Sequence, residues 1–195
     1  MEGQPNERGV SIRPQDSFTL ILAELQRVLN QVNEDQVSVA IGMLLGARRV
    51  FFVGAGRSAL AVRMAAMRLT HFGLQAYVAG DVTTPAIAEG DLLVAASASG
   101  TTKTVLLAAD IAMKVGAQLL AITASAETPL ARQANTVVVL PAASKADVEG
   151  RASEQYAGSL FEQSVVLLFD GIFHSLWKNG TQSTEELLAR HANLE

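Results

Sequence analysis

At 195 residues the chain has the length of one domain able to bury a sizeable core unaided, and 49% apolar against 17% charged residues is the profile of a compact globular fold. With no cysteine it has no disulfide, thiolate nucleophile or Cys-type zinc site, which fits a reducing cytosol. A formal net charge of -4 gives no electrostatic reason to expect nucleic acid or an anionic membrane as partner, and apolar stretches such as 91–97 and 164–169 are far too short to span a bilayer core of about 30 Å.

The opening residues Met1 to Arg8 lack the basic-then-apolar order of a secretory signal, and 1–16 reads as a flexible tail. Over Ser17 to Leu45 the residues Phe18, Ile21, Leu22, Leu25, Val28, Leu29 and Val32, then Val37, Ala40, Ile41 and Leu44, recur at helical spacing, so 17–47 is expected to form N-terminal helices. Arg49 to Val53 is the first strand. A turn, Gly54-Ala55-Gly56-Arg57-Ser58, leads into a helix running to Phe72, where Gly73 ends it, and Gln75 to Ala79 is the second strand. The third strand, Asp91 to Ala96, feeds a second turn, Ser97-Ala98-Ser99-Gly100-Thr101-Thr102, and a helix from about Thr102 to Val115. A fourth strand over Gln118 to Thr123, a short helix over Pro129 to Gln133 and a fifth strand over Thr136 to Leu140 precede a polar loop from Pro141 to Gly150. A long helix is expected from Ser153 to Trp177, and a last one from Thr184 to His191 opens on Ser183-Thr184-Glu185-Glu186.

Short apolar strands alternating with helices predict an α/β fold: a doubly wound, five-stranded parallel sheet flanked by helices in three layers, because parallel neighbours need crossovers that pack on the sheet. The expected organisation is a single domain over 1–195, with the sheet and its crossovers in 48–180 and a closing helix and tail in 181–195. In such sheets ligands bind beyond the carboxyl ends of the strands, which is where both turns fall.

The turns carry the chemistry. Backbone amides, the positive ends of the following helices and the hydroxyls of Ser58, Ser97, Ser99 and Thr102 suit the phosphate of a small sugar. Gly54-x-Gly56 with Asp81 after the second strand also allows a dinucleotide site, but Ala59 stands where the third glycine belongs and the second turn has no role there. Ser153 and Ser159 read better as capping or packing residues. Two readings of Glu162 stand open: a solvated helix face, or a carboxylate turned to the ligand cleft and raised by desolvation into the range for moving a carbon-bound proton, with Glu154 and Gly158 preceding it on one helical stripe. His71, at a helix end, is read as a cap or as an acid/base group, and His174 as structural; no metal-ligand cluster is evident.

The elements Phe52-Val53-Gly54-Ala55-Gly56-Arg57-Ser58, Met67 to Gly73, Thr83-Thr84-Pro85, Ser97 to Thr102, Gly158 to Gln163 and Arg190-His191-Ala192-Asn193-Leu194-Glu195 resemble the sugar isomerase (SIS) domain family over nearly the full length. Within it they resemble the branch that interconverts 3-hexulose 6-phosphate and fructose 6-phosphate in the ribulose monophosphate route of formaldehyde fixation. The resemblance implies a cytoplasmic enzyme without metal or organic cofactor, acting on a phosphorylated ketohexose. It also implies a homo-oligomer, usually a tetramer, with sites shared between subunits. It assigns acid/base work to Glu162 and to His71, the latter entering from a neighbouring subunit, and phosphate binding to Ser58, Ser97, Ser99 and Thr102; Gly56, Arg57, Gly100, Thr101 and His191 are further substrate-binding candidates, with Arg57 read equally as an anchor of its turn or of an interface. The alternatives are another phosphosugar aldose–ketose isomerase, or a non-catalytic regulatory module that binds a sugar phosphate. Thr101 replaces the Glu usual in the second turn, and Gln155-Tyr156-Ala157-Gly158 replaces the usual Gln-Pro-Met-Gly.

Overall fold

The computed structural model describes residues 12–142 and 153–194. Among them the order is α1 (Pro14–Leu29), α2 (Glu34–Gly46), β1 (Val50–Val53), α3 (Arg57–Phe72), β2 (Ala76–Val78), β3 (Leu92–Ala96), α4 (Lys103–Lys114), β4 (Gln118–Thr123), α5 (Pro129–Gln133), β5 (Thr136–Val139), α6 (Ser159–Asn179) and α7 (Thr184–Leu188). The five strands pair in parallel in the order β2-β1-β3-β4-β5. The α/β doubly wound sheet expected from the sequence is therefore present.

Successive strand residues face opposite layers, and both layers are filled. Val50 and Phe52 of β1, Leu92 and Val94 of β3, and Leu120 and Ile122 of β4 pack with α1, α2, α3 and α6. Phe51, Val53, Leu93, Ala95, Leu119 and Ala121 pack with Val105, Ala109 and Ala112 of α4 and Leu130 of α5. Burial on both faces is why these strands read as unbroken apolar runs. At the amino end of β3, the carboxylate of Asp91 is fully buried and accepts from Arg49 at 2.6 Å, Arg48 at 3.1 Å and the Ala88 amide at 2.8 Å.

From β1 the chain winds outward to β2, then crosses back past β1 to β3. The strand order reverses between β1 and β3, so the loops leaving those two strands part and open a crevice.

Three boundaries differ from the expectation. α1 starts at Pro14, inside the segment read as tail, because proline suits a first helical turn and Arg13 is paired with Asp16 there. α7 stops at Leu188 rather than His191. α6 starts at Ser159, not Ser153. Ser153, Glu154 and Gln155 are instead bonded to Glu24 of α1, and Ala157 has a positive φ of 52°, which no helix accommodates. The helical stripe of Glu154, Gly158 and Glu162 therefore does not exist. Most of the loop expected over 141–150 lies outside the described residues.

Candidate active site

The crevice between β1 and β3 is a cleft of about 120 Å³, walled by Ser58, Ser97, Ser99, Thr102, Gly158 and Glu162 among others. Three helices begin at it: α3 after Gly56, α4 after Thr102 and α6 after Gly158. None of them has a side chain capping its first turn, whereas α2, α5 and α7 are capped by Asn33, Thr128 and Ser183. First-turn amides left without a side-chain acceptor suit an anion, and the helix dipoles add to that preference.

Each turn is shaped by a glycine. A Cβ on Gly54 would lie 2.9 Å from the backbone of Ser58 and Ala59, so only glycine lets α3 start so close to the end of β1. Gly100 has φ +59°, and a Cβ there would collide with the side chain of Thr128. Between these turns, Ser97 Oγ lies 3.0 Å from Thr102 Oγ1, and Ser99 Oγ lies 2.9 Å from Thr101 Oγ1. The hydroxyls are thus paired with one another at the mouth of the cleft, and each can turn its proton to an incoming oxygen.

Glu162, in the first turn of α6, is buried, with a side chain 7% exposed, so the solvated-face reading is set aside. Its counter-ion is Arg57, whose Nε stands 3.0 Å from Glu162 Oε2. Arg57 Nη1 also donates to Ser159 Oγ at 3.1 Å, and that hydroxyl in turn donates to the Tyr156 carbonyl at 2.8 Å. A carboxylate beside three helix N-termini and held by one guanidinium is placed to exchange a proton with a bound carbon acid.

The fold thus gathers Ser58, Ser97, Ser99, Thr102 and Glu162 around one cleft, with Gly56 and Arg57 at the start of α3, and with Gly100 and Thr101 completing the second turn. It does not bring His71 there. His71 ends α3, about 20 Å along the helix axis from Ser58. There its ring stacks on that of His191, with centroids 3.8 Å apart, and its buried Nδ1 has no partner. Burial, the facing His191 and nearby Arg68 all hold the His71 imidazolium below its ordinary pKa. Asp81 pairs with Arg63, which occupies the acid that a dinucleotide ribose would need. Among the described residues no three His, Asp or Glu side chains converge as metal ligands, and no described helix is long and apolar enough to cross a membrane.

Two features escaped the sequence reading. The Arg57–Glu162 pair joins residues far apart in the chain, and no local pattern announces it. Glu24 is buried as well, and it left a signal: it interrupts the apolar stripe Ile21, Leu25, Val28 at a core-facing position of α1.

Known proteins resemble this chain in sequence and in fold. The SIS domain family matches residues 43–169. The 3-hexulose-6-phosphate isomerase of Mycobacterium gastri is 48% identical over 92% of this chain and 90% of its own length, and that of Bacillus subtilis is 33% identical over 90% and 95%. A crystallised hypothetical protein of Methanococcus jannaschii, with an inferred function of 3-hexulose-6-phosphate isomerase, superposes with a TM-score of 0.80 at 24% identity, covering 92% of this chain and 99% of that one. The Vibrio vulnificus NanR protein, complexed with ManNAc-6P, shares the fold with a TM-score of 0.72 at 21% identity, over 90% of this chain and 66% of that one.

Proposed function

We propose that this chain, which belongs to the SIS domain family, is an isomerase that interconverts 3-hexulose 6-phosphate and fructose 6-phosphate through a cis-enediol, the second step of formaldehyde fixation by the ribulose monophosphate route. The observation that carries the reading is the buried Glu162 paired with Arg57 at the floor of a cleft rimmed by hydroxyls and uncapped helix starts. The phosphate takes the amides and hydroxyls of the two turns, which fixes the sugar carbons against α6. Glu162 removes the proton from C2 of the 3-hexulose and delivers one to C3. Meanwhile a proton reaches the C3 oxygen and another leaves the C2 oxygen, so the carbonyl moves by one carbon with no net change in protons. Arg57 holds Oε2 of Glu162, leaving Oε1 to work, and its charge faces the enediolate as it forms.

His71 is the shuttle for the hydroxyl protons, supplied by a second copy of the chain. Supporting this, the single-chain cleft of about 120 Å³ is well below the roughly 300–1,000 Å³ of small-molecule sites, so a further wall is needed. α3 also bears an exposed apolar stripe, Leu60, Met64 and Met67, that none of the described residues covers. Met64 is midway in sequence between Arg57 and His71. Two α3 helices packed antiparallel about a two-fold axis at Met64 therefore set His71 of each copy over Arg57 of the other. Two such pairs make a tetramer, and His191 accompanies His71 to the substrate.

The test is isotope exchange. Fructose 6-phosphate incubated with the protein in heavy water should gain deuterium at C3, read by loss of its proton signal. Label at C1 would mark an aldose–ketose isomerase, and no label at all would mark a sugar-phosphate sensor; either result overturns the proposal.

A further inference from the structure

Glu24 belongs to α1, which lines no part of the cleft, yet its carboxylate is buried and, among the described residues, takes its hydrogen bonds from a single segment. Oε2 accepts from Ser153 Oγ at 2.7 Å and from Gln155 Nε2 at 2.9 Å, and Oε1 accepts from the Glu154 amide at 2.9 Å. Ser153 Oγ in turn accepts from the Gln155 amide at 3.0 Å. Burial pushes the Glu24 carboxyl up, but the hydrogen bonds from Gln155, Ser153 and the Glu154 amide, together with the charge of nearby Arg27, outweigh it and keep the group below the usual carboxylate range. Among the described residues the three groups bonded to the carboxylate all donate to it, and its two acceptor oxygens satisfy them together.

This clamp leads to the active site by consecutive contacts. Two residues after Gln155 comes Ala157, which holds a φ of 52°, a left-handed conformation that costs a non-glycine residue energy and persists only where its surroundings impose it. On the clamp side of Ala157, the Tyr156 carbonyl accepts from Ser159 Oγ, and that hydroxyl accepts from Arg57, the partner of Glu162. On the other side, Gly158 starts α6 and lines the cleft, and its carbonyl accepts from the Glu162 amide at 3.1 Å.

We propose that Glu24 is a positioning residue for proton transfer: by clamping residues 153–155 it imposes the left-handed turn at Ala157 and so sets the Arg57–Glu162 pair at the right height over the phosphate-binding turns. The inference rests on Glu162 being the base, as argued above. Among the described residues the clamped segment 153–155 bonds to neither hydroxyl turn and reaches the first of them only through Arg57, so Glu24 is expected to act on the chemical step more than on phosphate affinity.

The experiment compares kcat and KM for fructose 6-phosphate in the full-length protein and in E24Q, A157G and the double variant E24Q/A157G, with unfolding midpoints measured for each. E24Q presents an amide to donors. It is expected to lower kcat about 10- to 100-fold, the scale of a misplaced reacting group, with KM within about twofold. Glycine tolerates the left-handed turn without a clamp, so adding A157G should raise the kcat of E24Q by about threefold or more. Unchanged kcat in E24Q, a KM rise matching the loss, or a loss that A157G does not relieve would each overturn the proposal. If E24Q does not fold, S153A and Q155A each remove one donor, and normal kcat in both overturns it equally. Near-normal turnover in E162Q would instead remove the underlying base assignment, which keeps the two failures apart.

Discussion

Two inactive variants should restore one another. In the proposed pair of chains each site draws Glu162 from one copy and His71 from the other, because His71 ends α3 about 20 Å from the start of the same helix at the cleft. H71A and E162Q each remove one acid/base group, and each should lose at least ~100-fold in turnover. When the two are mixed under conditions that exchange subunits, random pairing makes half the pairs mixed. A mixed pair has one site carrying both defects and one carrying neither. The mixture should therefore recover about a quarter of wild-type activity, far above either parent. The assay is fructose 6-phosphate formation before and after subunit exchange, with M64E as control, since a charge at the centre of the α3 stripe should split the pair and prevent recovery. A mixture no more active than the average of its parents would refute the shared site and return His71 to its own chain.

Replacing both Ser97 and Ser99 by alanine removes two hydroxyls from the cleft and should raise KM by about 100-fold or more with a smaller change in kcat, two hydrogen bonds to a charged group being worth roughly 1.5 kcal/mol or more each; an unchanged KM in steady-state kinetics would move the phosphate elsewhere. Stability should depend on Asp91 in acid. Burial raises its carboxyl, but the hydrogen bonds from Arg49, Arg48 and the Ala88 amide more than reverse this and bring it from 3.8 down to about 2. A group depressed in the folded state stabilises fully above its unfolded pKa and loses that contribution as pH falls through its folded one, here between about 4 and 2, for roughly 2 kcal/mol. Urea unfolding should show D91N less stable than wild type at pH 7 and flatter across that acid window; parallel pH profiles for the two would contradict the assignment.

The strands and the two turns were legible because their causes are local. Val50–Val53 and Leu92–Ala96 are buried on both faces and so carry unbroken apolar runs, while Gly54 and Gly100 stand where a Cβ would collide. The start of α6 was not legible. Residues 153–158 have a composition compatible with helix, and what unwinds them is Glu24, more than a hundred positions away. The same holds for the partner of Glu162: its position in a helix is periodic, but its guanidinium neighbour is a product of the crossover that starts α3 and α6 at one cleft. His71 shows the complementary case: family resemblance singles it out, yet within the one chain it ends α3 far from the cleft.

The most direct measurement offers enzymatically made 3-hexulose 6-phosphate to the purified protein and follows fructose 6-phosphate through a coupled dehydrogenase, with E162Q alongside. Rapid conversion by the wild type and at least ~100-fold slower conversion by E162Q is the predicted result. Conversion by the wild type no faster than without protein, or equally fast in E162Q, would contradict it.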